Sequence, residues 1–255
     1  MQPCTKQPWL AGFDAALCEA VLASVAAGGD ALALLHPAFA AAQIKNAQGL
    51  PLHCVPQAAL PAGVAYEQFI YDTGGIPTRN TAGSAGALHD ACNALMWLRY
   101  PRSKARLNEL QAAAIAKVGV QPTRGRLRDA LTLFDESAVI LCVPEQDCAI
   151  AQLVARDWRG LLHTRRSDWL GGTVSANLFG HAVLQKLQNP YPAITAQVWC
   201  VQGEIEALDT ALAASLTPSL SPAQLLPLPV LGIPGWWAAN ADAVFYNNAQ
   251  VFRPL

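Results

Sequence analysis

The sequence predicts an α+β protein: a helix-rich single core, a small, mainly antiparallel sheet, and an extended Pro/Trp-rich C-terminal arm. Three observations predict it. Apolar residues recur at helical spacing in several stretches, beginning with Phe13, Leu17, Val21, Leu22 and Val25. Short runs of branched residues, such as 139–143, have the length of strands. From Pro218 onward, Pro222, Pro227, Pro229, Pro234 and Pro254 rule out long helices. That same segment carries Trp236, Trp237, Phe245, Tyr246 and Phe252, too apolar a set for a disordered tail. The expected organisation is one domain over 1–255, with a helical N-terminal part (1–60), an α+β core (61–216) and the arm (217–255) packed on it. A chain of 255 residues buries roughly 70–75% of its unfolded surface, so no metal or disulfide is needed to hold it.

Taken in order, the first helix is stopped by Gly28 and Gly29. Short helices are expected over 30–35 and from Pro37 to about Lys45. Residues 52–55 read as a strand bracketed by Pro51 and Pro56, and 66–71 fit helix or strand. The Gly-rich stretch 72–86 reads as a loop. Helices over 88–99 and 103–118 follow, parted by Pro101. Residues 129–134 and 139–143 read as the strands of a β-hairpin turning at 135–138. Helices are expected over 146–162, 177–187 and 204–216, with a strand over 194–201.

Composition narrows the partners. Apolar residues make up 53% and charged residues 14% of the chain, against a usual charged share of about 25%. So apolar a composition leaves surface that a partner subunit would cover, which favours a homodimer. A net charge of −1 argues against nonspecific nucleic-acid binding, which phosphate neutralisation drives. The Ala-rich region 15–44 is broken by Glu19, Asp30, His36 and Pro37, which argues against a membrane span. Residues 1–9 lack the basic and apolar pattern of a secretory signal. Cys4, Cys18, Cys54, Cys92, Cys142, Cys148 and Cys200 are odd in number and include no C-x-x-C. They read as reduced, mostly buried thiols of a cytoplasmic protein.

Three stretches could carry chemistry. On a helix, His89, Asn93 and Trp97 share one face, and Lys104, Asn108 and Gln111 form a similar stripe on the next. Asp90 lies beside them, and Thr78, Arg79 and Asn80 lie in the preceding loop. Such a convergence suits an anionic ligand or a divalent metal; its bland counterpart is a set of satisfied polar groups, with Asp90 placed for the helix dipole. The His89-Asp90 adjacency resembles the metal-binding pair of the HD phosphohydrolases, for which His53 and Asp129 or Asp135 would be further ligands. In the second stretch, Arg124, Arg126 and Arg128 at period two could project together onto phosphate or carboxylate. Asp135 and Glu136, at the expected hairpin tip, could hold a metal or pair with those arginines. In the third, His181 near a helix start suits a neutral general base. No P-loop, G-x-G-x-x-G, H-E-x-x-H or G-x-S-x-G occurs.

These same residues carry a family resemblance. The blocks are 75–79 (GIPTR) with His89-Asp90, Asn93-Ala94-Leu95, Trp97-Leu98, Pro101, Lys104 and Asn108; 128–136 (RDALTLFDE); 179–182 (FGHA); and 229–237 (PVLGIPGWW) with Phe245-Tyr246 and 251–254 (VFRP). From about Tyr66 to the C-terminus the chain resembles the proteobacterial domain of unknown function 3025. The stretch 80–88 is longer than in that family's pattern. The resemblance implies no activity, substrate or cofactor.

The leading expectation is a hydrolase of an anionic, phosphate- or carboxylate-bearing substrate, with metal assistance from Asp135 and Glu136. His89 or His181 would be the base and Asp90 would orient or ligate. Arg79, Asn93, Lys104, Asn108 and Arg128 would bind the substrate. The alternative is a non-catalytic binding or scaffold protein, in which these groups knit the arm to the body.

Overall fold

The computed structural model describes residues 7–80, 84–119, 125–203 and 207–255. Along the chain, α1 (Ala15–Ala26) and α2 (Ala31–Ala42) lead to β1 (His53–Pro56), α3 (Tyr66–Thr73), β2 (Gly75–Thr78), α4 (Ala85–Arg99), α5 (Pro101–Val118) and α6 (Arg126–Ser137). Then come β3 (Ala138–Val143), α7 (Ala149–Val154), α8 (Arg166–Leu170), β4 (Ser175–Leu178), α9 (His181–Lys186), β5 (Thr195–Gln202), α10 (Leu208–Ser215) and β6 (Leu226–Pro229). The α+β class is as expected. The described residues form two compact units: a helical unit of residues 12–80, 84–119, 125–135 and 207–222, and a sheet unit of residues 7–11, 136–203 and 223–255.

In the helical unit, Asp14 caps α1 by accepting a hydrogen bond from the Leu17 amide at 3.0 Å. Cys18, Val21, Leu22 and Val25 form its buried stripe, which packs on α2 and α4. The two short helices expected after Gly29 are one, because α2 runs unbroken through Pro37. Pro37 and Ala33 are both exposed. Water can therefore take the Ala33 carbonyl that the missing amide leaves unpaired. Residues 75–78, expected in a loop, are instead β2, paired in parallel with β1.

α4 and α5 meet at Pro101, the first residue of α5. Proline suits that position because its missing N–H would be unpaired there anyway. No side chain of its own caps α5. Asp209, beside the start of α10, supplies the cap: its carboxylate accepts from the Arg102 amide at 2.8 Å and the Ser103 amide at 2.9 Å. Residues 129–134, expected as the first strand of a hairpin, belong to α6. Leu127, Ala130, Leu131 and Phe134 follow a helical period, and the last three are buried on one face. The chain passes directly from α6 into β3, so no hairpin forms there.

The sheet unit is built on a four-stranded sheet in the order β4-β3-β5-β6. β4 and β6 are antiparallel to their neighbours, but the central pair β3–β5 is parallel. Two of that sheet's three pairings are thus antiparallel, in keeping with the small, mainly antiparallel sheet expected; with β1–β2 also parallel, the sheets are mixed and not strictly antiparallel. β3 is buried almost throughout, as a central strand covered on both faces should be. At the edge, Pro227 and Pro229 stand opposite Gln197 and Thr195. Proline is tolerated on an edge strand and blunts further strand pairing there. Helix is expected over 146–162, but α7 stops at Val154, Arg156 takes a positive φ of 52°, and residues 159–164 form a single π-helical turn. Helix is also expected over 177–187, yet 175–178 is strand β4 and only 181–186 is helix.

After β6 the chain runs in short turns held by buried polar groups. Asn240 is fully buried and donates from Nδ2 to the carbonyls of Leu231 at 2.9 Å and Ile233 at 2.7 Å. Arg166 donates to the Asn240 backbone and side-chain oxygens, both at 3.0 Å.

Gly180, between β4 and α9, is fixed by close approach. A Cβ built there would stand 2.6 Å from the Glu136 carbonyl oxygen and 2.7 Å from the Ala138 nitrogen. Backbone cannot move aside as a flexible side chain can. We expect Gly180→Ala to lower stability by about 2 kcal/mol, read as a shift of the urea midpoint at constant slope.

Candidate functional site

The helical unit contains a cluster of charged and polar side chains in which burial demands pairing. Lys104, in the first turn of α5, is 3% exposed. Its ammonium donates to the Asp135 carboxylate near the end of α6. It also donates to Asn93 Oδ1 on α4 at 2.7 Å. The charge lies 5.2 Å from the centre of the Trp97 ring, one helical turn beyond Asn93. The predicted face of α4 and the predicted stripe of α5 therefore do meet, at Asn93, Trp97 and Lys104.

Asn93 continues the network, donating from Nδ2 to the Tyr66 hydroxyl at 2.9 Å. Beside Tyr66, in the first turn of α3, the Glu67 carboxylate accepts from Asn108 Nδ2 at 2.7 Å; the same amide also donates to the Glu67 carbonyl at 2.8 Å. Desolvation raises the Glu67 pKa above the ordinary 4.5, and the negative charge of Asp135 adds to the effect. Lys104, Asn108 and Arg128 pull it back. Desolvation, with the carboxylates of Glu67, Asp90 and Asp135 behind it, also holds the Tyr66 phenol well above its usual range. Sequence reasoning missed both Tyr66 and Glu67, which lie in the segment readable as helix or strand. Once α3 is taken as helix, the adjacent Tyr-Glu pair in its first turn is the available signal.

On the other side, Arg79 and Asp90 form a two-pronged ion pair, Nε to Oδ2 at 2.9 Å and Nη2 to Oδ1 at 3.0 Å. The Arg79 amide also donates to Oδ2 at 2.7 Å. Asp90 therefore orients the chain leaving β2, and its hydrogen bond to the guanidinium raises the Arg79 pKa. Cys54 of β1 borders this region; burial pushes its thiol up to about 12, away from the reactive thiolate form.

The remaining expected site residues fall differently. His89 is half-buried on α4, one turn before Asn93. Arg128 is half-buried on α6, and its Nε is buried with no hydrogen-bond partner among the described residues. The arginine triplet does not act together: on helix α6, positions 126 and 128 point about 200° apart. Arg126 is exposed and Arg124 lies outside the described residues. Asp135 and Glu136 sit in the last turn of a helix, not at a hairpin tip, with side chains about 100° apart. Asp135 is committed to Lys104, and no group of three or more metal-ligating side chains occurs among the described residues. His181 belongs to the sheet unit, buried at the first position of α9.

Three carboxylates (Glu67, Asp90, Asp135) thus face three cations (Arg79, Lys104, Arg128). Asp90 and Asp135 are used in direct ion pairs. Glu67 is the carboxyl with the raised pKa, and Arg128 is the cation with no ion pair or hydrogen bond among the described residues. With Glu67 protonated, the set carries one net positive charge. The Asn108 Oδ1 atom is likewise buried without a donor among the described residues.

Comparison with known proteins identifies a family. The family model described as Protein of unknown function (DUF3025) matches residues 52–255, beginning before the stretch around Tyr66 where the sequence motifs start. No curated protein and no solved structure matches.

Lys104→Met leaves the Asp135 carboxylate without its lysine counter-charge and should cost about 3–5 kcal/mol in urea denaturation. Adding Asp135→Leu should recover most of that loss, because the cost lies in the stranded charge and not in the absent bond. For Glu67 the sign is set by the raised native pKa: the native state holds the proton longer than the unfolded chain. Stability then falls as pH rises from about 4.5 through the native value, and levels off above it. Glu67→Gln should flatten that fall when midpoints are compared across pH.

Proposed function

The chain belongs to the family described as Protein of unknown function (DUF3025), and we propose that it is a hydrolase of a small anionic substrate bearing phosphate or carboxylate. One observation carries the reading: an uncommitted guanidinium, Arg128, acts on a carboxyl, Glu67, whose environment favours its protonated form. An anion on Arg128 completes the charge balance of the cluster. It also leaves Glu67 as a proton donor for the leaving group. Asn93 and the Lys104–Asp135 pair hold Tyr66 and its neighbour Glu67 in place, while His89 is the candidate base for the attacking water. Arg79 and Asp90 order the approach from β2. Reduced thiols suit an activity in a bacterial cytoplasm.

One feature favours the non-catalytic alternative: Lys104, expected to clamp the anion, is already neutralised by Asp135 and donates to Asn93. The two readings separate on turnover. Purified protein is assayed against phosphate monoesters, phosphodiesters and carboxylate-bearing esters and amides. A hydrolase cleaves at least one class. Glu67→Gln, folded by circular dichroism, then loses about 10²-fold or more in kcat. No turnover of any class leaves the binding or scaffold reading, while turnover with a Glu67→Gln enzyme as fast as the parent overturns the role given to Glu67.

A further inference from the structure

A second polar place in the helical unit lies apart from the network just described. The last turn of α4 and the start of α1 flank a cavity of about 170 Å³. Gly12, Phe13, Asp14, Leu17, Leu95 and Arg99 line it. At about 30 Å³ per water-sized group, it holds roughly six non-hydrogen atoms.

Its walls carry opposite charges that do not close on each other. Arg99 is half-buried. Its guanidinium stacks 4.7 Å from the Tyr100 ring centre and 6.0 Å from that of Phe13. These contacts fix the plane of the fork without using a hydrogen bond. Among the described residues no acceptor meets Arg99, and its Nε is buried without a partner. The guanidinium rests against Gly12, where a Cβ would come within 2.4 Å of Nη2, so the absence of a side chain leaves room for it. Asp14 spends one oxygen on the Leu17 amide and forms no ion pair among the described residues. Between the two charges the lining is aliphatic, from Leu17 and Leu95.

We propose that this cavity binds a small zwitterion, a free amino acid about the size of alanine. Its carboxylate would meet the Arg99 fork, its ammonium Asp14, and its short side chain the leucines. An anion alone would leave Asp14 facing it at a cost. A cation alone would leave the buried Arg99 donor unmet. A ligand carrying both charges satisfies both walls. The site is independent of the hydrolytic reading, because no residue is shared.

The test is a ligand-observed NMR titration of the full chain with alanine, acetate and methylammonium. Alanine should saturate, with acetate and methylammonium each at least about 10-fold weaker, one lost charge-assisted hydrogen bond. Asp14→Asn keeps the helix cap, since asparagine caps as well as aspartate, so the fold stands. It should weaken alanine at least about 10-fold while binding acetate no more weakly than the parent does. Arg99→Lys, which keeps the charge but loses the fork, should weaken both alanine and acetate. Three results overturn the proposal: no saturation by alanine up to about 50 mM, acetate binding as tightly as alanine, or Asp14→Asn binding alanine unchanged.

Discussion

The helical unit depends on the buried contact between Lys104 and Asp135. An ammonium out of water costs several kcal/mol unless its donors are met. Here an aspartate from α6, an amide oxygen from α4 and the face of Trp97 meet them. The requirement works as a geometric constraint. α5 cannot rotate by a residue without stranding the charge, and α6 must bring its last turn, not its middle, to α5. Well-packed apolar residues in these places could be as stable, so the pair fixes arrangement more than it adds stability.

The chemistry of Glu67 is a consequence of that arrangement. Asn93 faces Lys104 with its oxygen and Tyr66 with its amide. One side chain thereby positions the start of α3, where Glu67 lies. Once there, Glu67 is desolvated and shares the neighbourhood with Asp135, whose charge is only partly offset by Lys104. The raised pKa needs no separate device. Arg128 lowers the cost of ionising Glu67 but has no hydrogen-bond partner of its own among the described residues, and so remains available.

What is legible in the sequence, and what is hidden, follows from which interactions are local. The break at Pro101 and the polar stripes on α4 and α5 are legible, because steric exclusion and helical period act within a few residues. The pairing of Asn93 with Lys104 is not legible there, because it depends on how the two stripes face each other across α4 and α5. The stretch 129–134 misleads because Leu131, Thr132 and Leu133 suit a strand locally; burial of Ala130, Leu131 and Phe134 on one face decides for helix. Reading helix there also dissolves the arginine triplet, whose common direction exists only at period two. β2 is hidden because four residues of Gly, Ile, Pro and Thr carry no strand signal apart from β1, the partner that orders them. Glu67 is hidden for a different reason. A carboxyl near a helix start is ordinary, and only neighbours from α5 and α6 make this one unusual.

α4 serves both polar places, and its two ends differ in what they share with the family. Asp90, Asn93 and Trp97 face groups from β2, α3, α5 and α6, all within the matched residues 52–255. Arg99, two residues past Trp97 and so on another side of the helix, faces Gly12, Phe13 and Asp14, which precede the matched stretch. The first arrangement can therefore be specified by what the family model covers. The second is completed only by residues outside it. A guanidinium stacked on Tyr100 can persist wherever α4 and α5 persist, but the opposing carboxylate and the aliphatic wall from Leu17 need α1. If the cavity discriminates ligands, that selectivity is set by α1, while the network around Glu67 is set without it.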